Sequence, residues 1–266
     1  MQAFDWPPWP PTLAESLAGR MGIQRLHPLA QCELAGRRPR FLDTLFAGAF
    51  KTRKAERLGQ ALAERVAAGG YPAALARPSA RRRAAWYRNY IETLVQRDVR
   101  GLARIASLDA LPRLLALAAG QTARLINISD LASPCQLSRP IIRDYVTLLE
   151  RVFLLEELPP WHGNRLSRLV KTPQLHVGDT GLACGLLGHD ADALMQDRAT
   201  LGQLPETFVL QELRRQASWH AQEIRFHHYR DNDGAEVDIV LHDGEISAGF
   251  GDGLYAIPIC APWDTG

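Results

Sequence analysis

Apolar residues recur at helical spacing through residues 41–110, a stretch rich in alanine, leucine and arginine. This spacing predicts two or three helices, interrupted at Gly69-Gly70-Tyr71-Pro72, because glycine and proline break helices. Ser79 is placed to cap the helix that carries Trp86, since a serine hydroxyl accepts a bond from a first-turn N–H group. We therefore interpret residues 41–110 as a helical connector.

The pattern between residues 111 and 160 predicts two short helices joined by a turn. Ser129 is placed to cap the first helix and Ser138 the second, in which Pro140 takes a first-turn position that needs no N–H group. The apolar positions of the second helix then fall on one face: Ile142, Tyr145, Val146 and Leu149. Two short helices in this arrangement predict a helix-turn-helix.

The apolar run Val152–Leu155 and the residues after it predict a short β wing, which would make this unit a winged helix. The second helix of such a unit enters the major groove of DNA. Arg139 and Arg143 lie off its apolar face, where they would contact a phosphate or a base edge. Because the same helix carries Asp144 and Glu150, a winged helix that binds only protein stays an alternative.

Residues 161–266 mix short strands with one helix, which we predict at about 206–217. An apolar strand precedes Asp179, so Asp179 is placed to cap the next helix, with a position in a ligand cleft as the alternative. His227 and His228 are neighbours in a strand and point to opposite faces. We therefore expect one buried and one exposed histidine rather than a shared metal ion.

Charge is distributed unevenly along the chain. Residues 1–110 carry 18 basic and 9 acidic side chains, whereas residues 181–266 carry 5 and 14. A basic half favours polyanions, and an acidic half favours metal ions or a basic partner. Arg81, Arg82 and Arg83 would extend a DNA-phosphate footprint, with a solvated helix face as the alternative.

The cysteine spacing and the lack of a recognisable targeting signal bear on where in the cell the protein is expected. The four cysteines are widely spaced with no CxxC pair, which argues against a zinc site or a disulfide framework. The chain opens without a charged leader followed by an apolar run, and it has no apolar stretch long enough to span a bilayer. We expect a cytoplasmic protein with no membrane partner.

A series of motifs occurs in order along the chain. They are SLAGR (16–20), HPLAQCEL (27–34), GGYP (69–72), WYRNYIETLVQRDVRGLARI (86–105), KTPQLHVGDTGLACGLLG (171–188), PETFVLQEL (205–213), DGAEVDIVL (233–241) and GDGLYAIPIC (251–260). The ordered set resembles a widespread prokaryotic AAA-type ATPase family. Its members carry a P-loop ATPase, a helical segment, a winged helix and a C-terminal domain similar to restriction endonucleases.

The resemblance implies an α+β multidomain chain. It predicts a truncated ATPase edge at residues 1–40, the helical connector at 41–110, the winged helix at 111–160 and an incomplete restriction-endonuclease-like α/β domain at 161–266. No GxxxxGK[ST] phosphate loop occurs, so we do not expect this chain to bind ATP. Arg20 matches an arginine near the nucleotide of intact relatives, with a solvated arginine as the alternative.

The resemblance also implies a metal site in the nuclease-like domain, where Glu206 and Asp238 match two metal-binding carboxylates. Asp238 belongs to a strand that we expect to end in this acid. A carboxylate-x-lysine strand should follow, but the last lysine is Lys171, and Ser247–Phe250 runs directly into the terminal motif as if by an internal deletion. Glu206 and Asp238 are therefore only vestigial catalytic and metal candidates, with a helix-start carboxylate and a strand-end acid as the structural alternatives.

These inferences lead to one preferred hypothesis and three alternatives. The preferred hypothesis is a non-catalytic remnant of the ATPase family that binds duplex DNA through the winged helix and needs no cofactor. The alternatives are a docking fragment for an intact ATPase relative, a decayed nuclease that uses magnesium, and a decayed gene product without activity.

Overall fold

The computed structural model describes residues 25–49, 59–99, 108–161, 171–231, 234–244, 247–251 and 255–259. Within these ranges the chain forms eleven α-helices and two antiparallel sheets, which confirms the predicted α+β class. The helices are α1 (Gln31–Leu34), α2 (Phe41–Phe46), α3 (Gly59–Ala68), α4 (Pro72–Leu75), α5 (Ala80–Leu94), α6 (Ala110–Gly120), α7 (Ile128–Cys135), α8 (Arg139–Arg151), α9 (Thr180–Leu187), α10 (Ala191–Gln196) and α11 (Arg198–Ala217). A short π-helix, Val95–Val99, continues α5.

The strands form two sheets in chain order. The first sheet has the order β1-β3-β2 and consists of β1 (Arg124–Leu125), β2 (Leu155–Leu158) and β3 (Gln174–Val177). The second has the order β4-β5-β6-β7 and consists of β4 (Arg225–Arg230), β5 (Glu236–His242), β6 (Ser247–Gly251) and β7 (Tyr255–Ile259). All pairs within both sheets are antiparallel.

Helices α7 and α8 form where the sequence predicts two helices joined by a turn. Helix α7 begins earlier than predicted, because the side chain of Asn127 accepts a hydrogen bond from the N–H group of Ser129 at 3.0 Å. The prediction that Ser129 is the cap was therefore wrong. Gln136 ends α7 in the left-handed conformation, and Ser138 occupies the N-cap position of α8 as predicted, without a side-chain hydrogen bond.

Along the sequence, the strands of the first sheet lie before and after the helix pair. β1 lies between α6 and α7, and β2 and β3 follow α8. Glu156 and Glu157 of β2 pair with His176 and Leu175 of β3, so a strand forms just after the apolar run Val152–Leu155.

A first hydrophobic cluster joins most of the helices to this sheet. It extends from Ala63 in α3 through Tyr87 in α5 and Leu149 in α8 to Phe208 in α11, and all four side chains are buried. The predicted domain limits at residues 110 and 160 fall inside this continuous cluster, and they stay predictions.

A second hydrophobic cluster packs α2 and α11 against the second sheet. It includes Leu42, Leu210, Phe226, Leu241 and Phe250. Helix α11 therefore contributes to both clusters, since Leu204 and Phe208 belong to the first.

Helix α11 begins at Arg198, so its predicted start at residue 206 was wrong. The side chain of Asp197 caps it, accepting hydrogen bonds from the N–H groups of Ala199 and Thr200 at 3.1 Å each. Pro205 lies inside the helix, where proline normally costs about 3 kcal/mol. Buried Leu204 and Phe208 flank it, and we attribute the continued helix to their packing.

The two sheets are joined through the end of β2. Pro160 forms a parallel bridge with His228, and the N–H group of Trp161 donates to the carbonyl of His228 at 2.7 Å. His228 is fully buried, whereas His227 is half-buried beneath the Trp161 ring at a centroid distance of 5.0 Å. In the described part of the chain, every helix is too short or too polar to cross a membrane.

Candidate functional site

The arginines predicted to bind DNA lie at the start of α8. Arg139 and Arg143 are exposed and are separated by one helical turn, while the opposite face of α8 is buried in the first cluster. Burial raises the pKa of Glu157, and the Arg143 guanidinium acts in the opposite direction. Arg143 is therefore within electrostatic reach of a carboxylate on β2.

The other predicted basic residues lie in the first turn of α5. The Ser79 side chain caps this helix by accepting a hydrogen bond from the Arg82 N–H group at 3.4 Å, as the sequence predicts. Arg81 and Arg82 are exposed and Arg83 is half-buried. Arg81 and Arg83 also line a cleft between α5 and α9. Arg20 lies outside the described residues.

The two vestigial metal candidates occupy different positions from those expected. Glu206 lies in the interior of α11, so it is not a carboxylate at a helix start. Asp238 is the third residue of β5, so the strand begins rather than ends near this acid. The apolar residues Val237, Ile239 and Val240 explain the difference, because they continue the strand past Asp238.

Asp238 also lies at an irregularity of the second sheet. His227 pairs with Val240 and Tyr229 with Val237, so β5 carries one extra residue between these pairs. Such a bulge redirects side chains relative to a regular ladder. Among the described residues, no group of three or more potential metal ligands lies close together.

A highly connected buried polar group is Asp179, which follows β3 after Gly178 and caps α9. Its side chain is completely buried. Five donors surround its two oxygens at 2.8 to 3.2 Å: the N–H groups of Gly70, Gly181 and Leu182, the hydroxyl of Tyr87 and Nη2 of Arg215. We call these six residues the Asp179 cluster.

Tyr87 ties this cluster to the end of α3. Its hydroxyl lies 3.0 Å from the carbonyl oxygen of Ala68 and 3.1 Å from Oδ1 of Asp179. Burial raises the pKa of the Tyr87 hydroxyl, and the negative charge of Asp179 raises it further. Tyr87 therefore stays protonated and keeps donating at any physiological pH.

Glycines allow the backbone to approach Asp179. Gly69 has a φ of +69°, and a Cβ atom there would collide with Oδ1 of Asp179 and the Tyr87 hydroxyl. A Cβ atom at Gly181 would lie 2.5 Å from the Tyr87 hydroxyl and 2.7 Å from the Ala68 carbonyl oxygen. The glycines of the GGYP and GDTG sequences thus explain why these two segments meet.

Arg215 extends the cluster to residues 25–34, which we call the N-terminal strap. Nη2 of Arg215 pairs with Asp179 at 2.9 Å, and Nη1 donates to the Leu29 carbonyl oxygen at 2.9 Å. Glu212 accepts two hydrogen bonds. Its Oε1 atom accepts from Nη1 of Arg215 at 2.9 Å, and its Oε2 atom accepts from the Gln31 N–H group at 2.8 Å. Helix α11 therefore holds the strap beside the Asp179 cluster.

A second buried polar network lies on the other side of β3. Nδ1 of His176 is 3.0 Å from Oγ1 of Thr207, which is 2.8 Å from Oγ1 of Thr122. Thr122 accepts from the Val177 N–H group at 3.1 Å. Burial lowers the pKa of His176 to about 3, so its imidazole is neutral near pH 7.

These networks hold segments together rather than present reactive groups. Asp179 has no solvent exposure and its oxygens are occupied by protein donors, so the prediction that it caps α9 is confirmed and a ligand-cleft role does not fit. Sequence reasoning missed Tyr87 and Arg215 as hydrogen-bond partners of Asp179, and Glu212 as the partner of Arg215. Their signal was the occurrence of charged or hydroxylated residues inside otherwise apolar motifs.

Comparison with protein families gives a context for this arrangement. A family described as "Domain of unknown function (DUF8612)" matches residues 59–193, just over half of the chain. The chain belongs to this family. The match includes Gly70, Tyr87, Asp179 and Gly181, so most of the Asp179 cluster lies within the DUF8612 region.

A second family, described as "Domain of unknown function (DUF4143)", matches residues 201–250 of the DUF8612 chain. This domain is typical of proteins associated with AAA-type ATPases, which supports the coarse family context indicated by the motifs. The match includes Glu206, Arg215 and Asp238. The two matched regions meet near the start of α11.

Two curated mycobacterial proteins are similar to the DUF8612 chain. They are the uncharacterized proteins Mb2031c of Mycobacterium bovis and Rv2008c of Mycobacterium tuberculosis, each 29% identical over 157 residues. The aligned region covers 59% of this chain and 36% of either relative, so the chain spans little more than a third of their length. No solved structure matches the chain.

Proposed function

We propose that this chain is a DNA-binding part of an AAA-type ATPase-related protein and that it acts without ATPase or nuclease chemistry of its own. The observation that carries the proposal is the pair of exposed arginines, Arg139 and Arg143, on a helix whose other face is buried. A helix held in this way presents its basic face to a phosphate backbone as a rigid unit.

The order of elements supports a winged helix at this position. Helices α7 and α8 are joined by a tight turn, and β1, β3 and β2 form an antiparallel sheet behind them. In this arrangement α8 is the recognition helix and the β2 end of the sheet is the wing. Arg139 in the first turn is then close to the groove floor, and Arg143 one turn later contacts a phosphate.

Acidic neighbours set a limit on affinity. Asp144 is exposed next to Arg143, and Glu157 on β2 interacts electrostatically with Arg143. These carboxylates compete with DNA phosphates for the arginine. We therefore expect binding that is measurable at low ionic strength and that weakens steeply as salt is added.

Fluorescence anisotropy with a labelled DNA duplex tests the proposal at two salt concentrations. We expect Arg139→Ala/Arg143→Ala to weaken binding about tenfold or more and to reduce the salt dependence, because about two phosphate contacts are lost. Arg225→Ala is the matched control, since Arg225 is an exposed arginine on β4. Wild-type protein that does not bind at low salt, or a double variant that binds like the control, would exclude the proposal.

A second variant sharpens the test in the opposite direction. Glu157→Gln removes the carboxylate near Arg143 and should strengthen duplex binding about twofold to fivefold, as expected for one partly screened charge pair. A change at Glu157 that leaves affinity unaltered would place Arg143 outside the interface.

A further inference from the structure

A cleft lies between α5 and α9 in the DUF8612 region. Its volume is about 240 Å³, and the residues that form its basic side are Arg81, Arg83 and Arg88 on α5. The floor is made of small residues of α9, among them Gly181, Cys184 and Gly185.

A close contact between α5 and α9 lies beside the cleft. Gly181, Cys184 and Gly185 lie on one face of α9, and a Cβ atom at Gly185 would lie 2.9 Å from the Cβ atom of Tyr87. The helices therefore approach closely at Tyr87. Beside this contact, the arginines of α5 line the cleft together with Gly181, Cys184 and Gly185 of α9.

The charges at the cleft favour an anion. Three guanidinium groups face two carboxylates, Glu64 and Asp190, which also line it. These side chains leave one net positive charge at the cleft, and Oδ1 of Asp190 also accepts a hydrogen bond from the Ala193 N–H group at 2.9 Å. Arg81 and Arg83 lie in the first turn of a helix of 15 residues, where the helix dipole adds positive potential.

Half-buried Arg83 lines the cleft and has one buried donor atom. Its Nε atom is buried, and no acceptor for it is found within the described part of the chain. A buried donor without an acceptor is destabilising, so a bound acceptor at this place would be favourable. Guanidinium groups bind phosphate oxygens through paired N–H donors.

We propose that this cleft binds a phosphate-type anion, with Arg81, Arg83 and Arg88 as its ligands. The volume fits phosphate or pyrophosphate rather than a whole nucleotide, because drug-sized ligands occupy roughly 300 to 1,000 Å³. The anion is either a free small phosphate or a phosphate group of a DNA backbone. The site lies on different helices from Arg139 and Arg143, and it does not depend on the proposed recognition helix.

Isothermal titration of the full chain with sodium pyrophosphate at low ionic strength tests the site. We expect saturable binding to the wild-type protein and a loss of affinity of tenfold or more in Arg81→Gln/Arg83→Gln, which removes two of the three cationic ligands. Arg83→Lys keeps the charge but loses the paired donors, so it should bind with intermediate affinity. Arg225→Gln is the matched control, because Arg225 is an exposed arginine on β4 outside both proposed sites, and it should bind like the wild type.

Circular dichroism and the urea midpoint of each variant establish that it is folded. Wild-type protein that releases no heat and gains no thermal stability with pyrophosphate overturns the proposal, as does equal binding by the folded double variant. Competition by a short DNA duplex identifies the source of the anion. If the duplex displaces pyrophosphate also in Arg139→Ala/Arg143→Ala, the cleft binds backbone phosphate; if it does not, the cleft binds a free small phosphate.

Discussion

Asp179 and Asp238 show how differently two sheets of one chain use an aspartate. Asp179 follows β3, is fully buried and accepts hydrogen bonds from five donors. Asp238 lies near the start of β5, is half-buried and occupies an irregular position of the second sheet. The family resemblance directs attention to Asp238, whereas the carboxylate buried among five hydrogen-bond donors is Asp179.

The difference comes from what surrounds each acid. Around Asp179, donors from four parts of the chain converge, and glycines at 69, 70 and 181 leave room for direct contact. Asp238 belongs to a hairpin-like sheet whose neighbours are close in sequence. A position that joins distant segments becomes important for stability, while a position in a local sheet is easier to replace.

Removing the negative charge of each aspartate should give the largest difference in stability between the two regions. Asp179→Asn should lower the free energy of unfolding by about 3 kcal/mol, because it removes one of the two carboxylates that pair with the buried guanidinium of Arg215 and leaves Glu212 alone to balance it. Asp238→Asn should cost less than Asp179→Asn, because Asp238 is only half-buried and lies in a sheet whose strands are close in sequence. Urea unfolding measures both values. Equal losses in the two variants would contradict the contrast.

Adding one methyl group to Gly181, where α9 packs against its neighbours, should change the free energy of unfolding by less. Gly181→Ala should cost about 1 to 3 kcal/mol, since the new Cβ atom would lie 2.7 Å from the Ala68 carbonyl oxygen, which belongs to the backbone.

The matched control is Gly202→Ala in α11. No atom lies within 4 Å of the position of its new Cβ, so alanine should stabilise the protein by about 0.5 to 1 kcal/mol through its higher helix propensity. Thermal and urea unfolding of the two variants should therefore move in opposite directions. A Gly181→Ala protein as stable as the wild type would mean that the helices separate without cost.

Acid should act on the first region through His176. Its folded-state pKa is lowered to about 3, whereas an unfolded histidine takes up a proton below about pH 6.5. The contribution of the neutral imidazole is fully present above pH 6.5 and is lost as the pH falls toward the folded pKa. Linkage limits the loss between pH 6.5 and 5 to about 2 kcal/mol.

Urea unfolding between pH 7.5 and 5 measures this loss. The variant His176→Gln cannot be protonated and retains polar atoms toward Thr207, so its stability should depend less on pH in this range. The same pH dependence in the variant and the wild type would show that other groups cause the acid sensitivity.

Local features of the fold were predictable from single residues. Ser79 as a cap, the apolar face of α8 and the cap position of Asp179 were confirmed, because each depends on residues within one or two turns. Predictions that depended on an element boundary were less accurate. Asn127 rather than Ser129 caps α7, and α11 continues through Pro205, since buried contacts can outweigh local propensity.

The basic face of α8 and the cleft at Arg83 also differ in how far the sequence predicts them. Arg139 and Arg143 were predictable as an exposed pair, because the apolar period of their own helix decides which face is buried. The cleft at Arg83 was not predictable, because its other wall is α9, about one hundred residues away in sequence. Arg215 was missed as the partner of Asp179 for the same reason.

The amino-acid sequence alone determined the α+β class, the uneven charge, the basic face of α8 and the lack of a GxxxxGK[ST] motif or a lysine beyond Lys171. These properties follow from composition, motif and period, which need no knowledge of distant neighbours. Tertiary structure decided that donors from four segments meet at Asp179 and that α9 lines a cleft beside three arginines of α5. Burial and pairing are set by residues far apart in sequence, so only the folded chain brings them together.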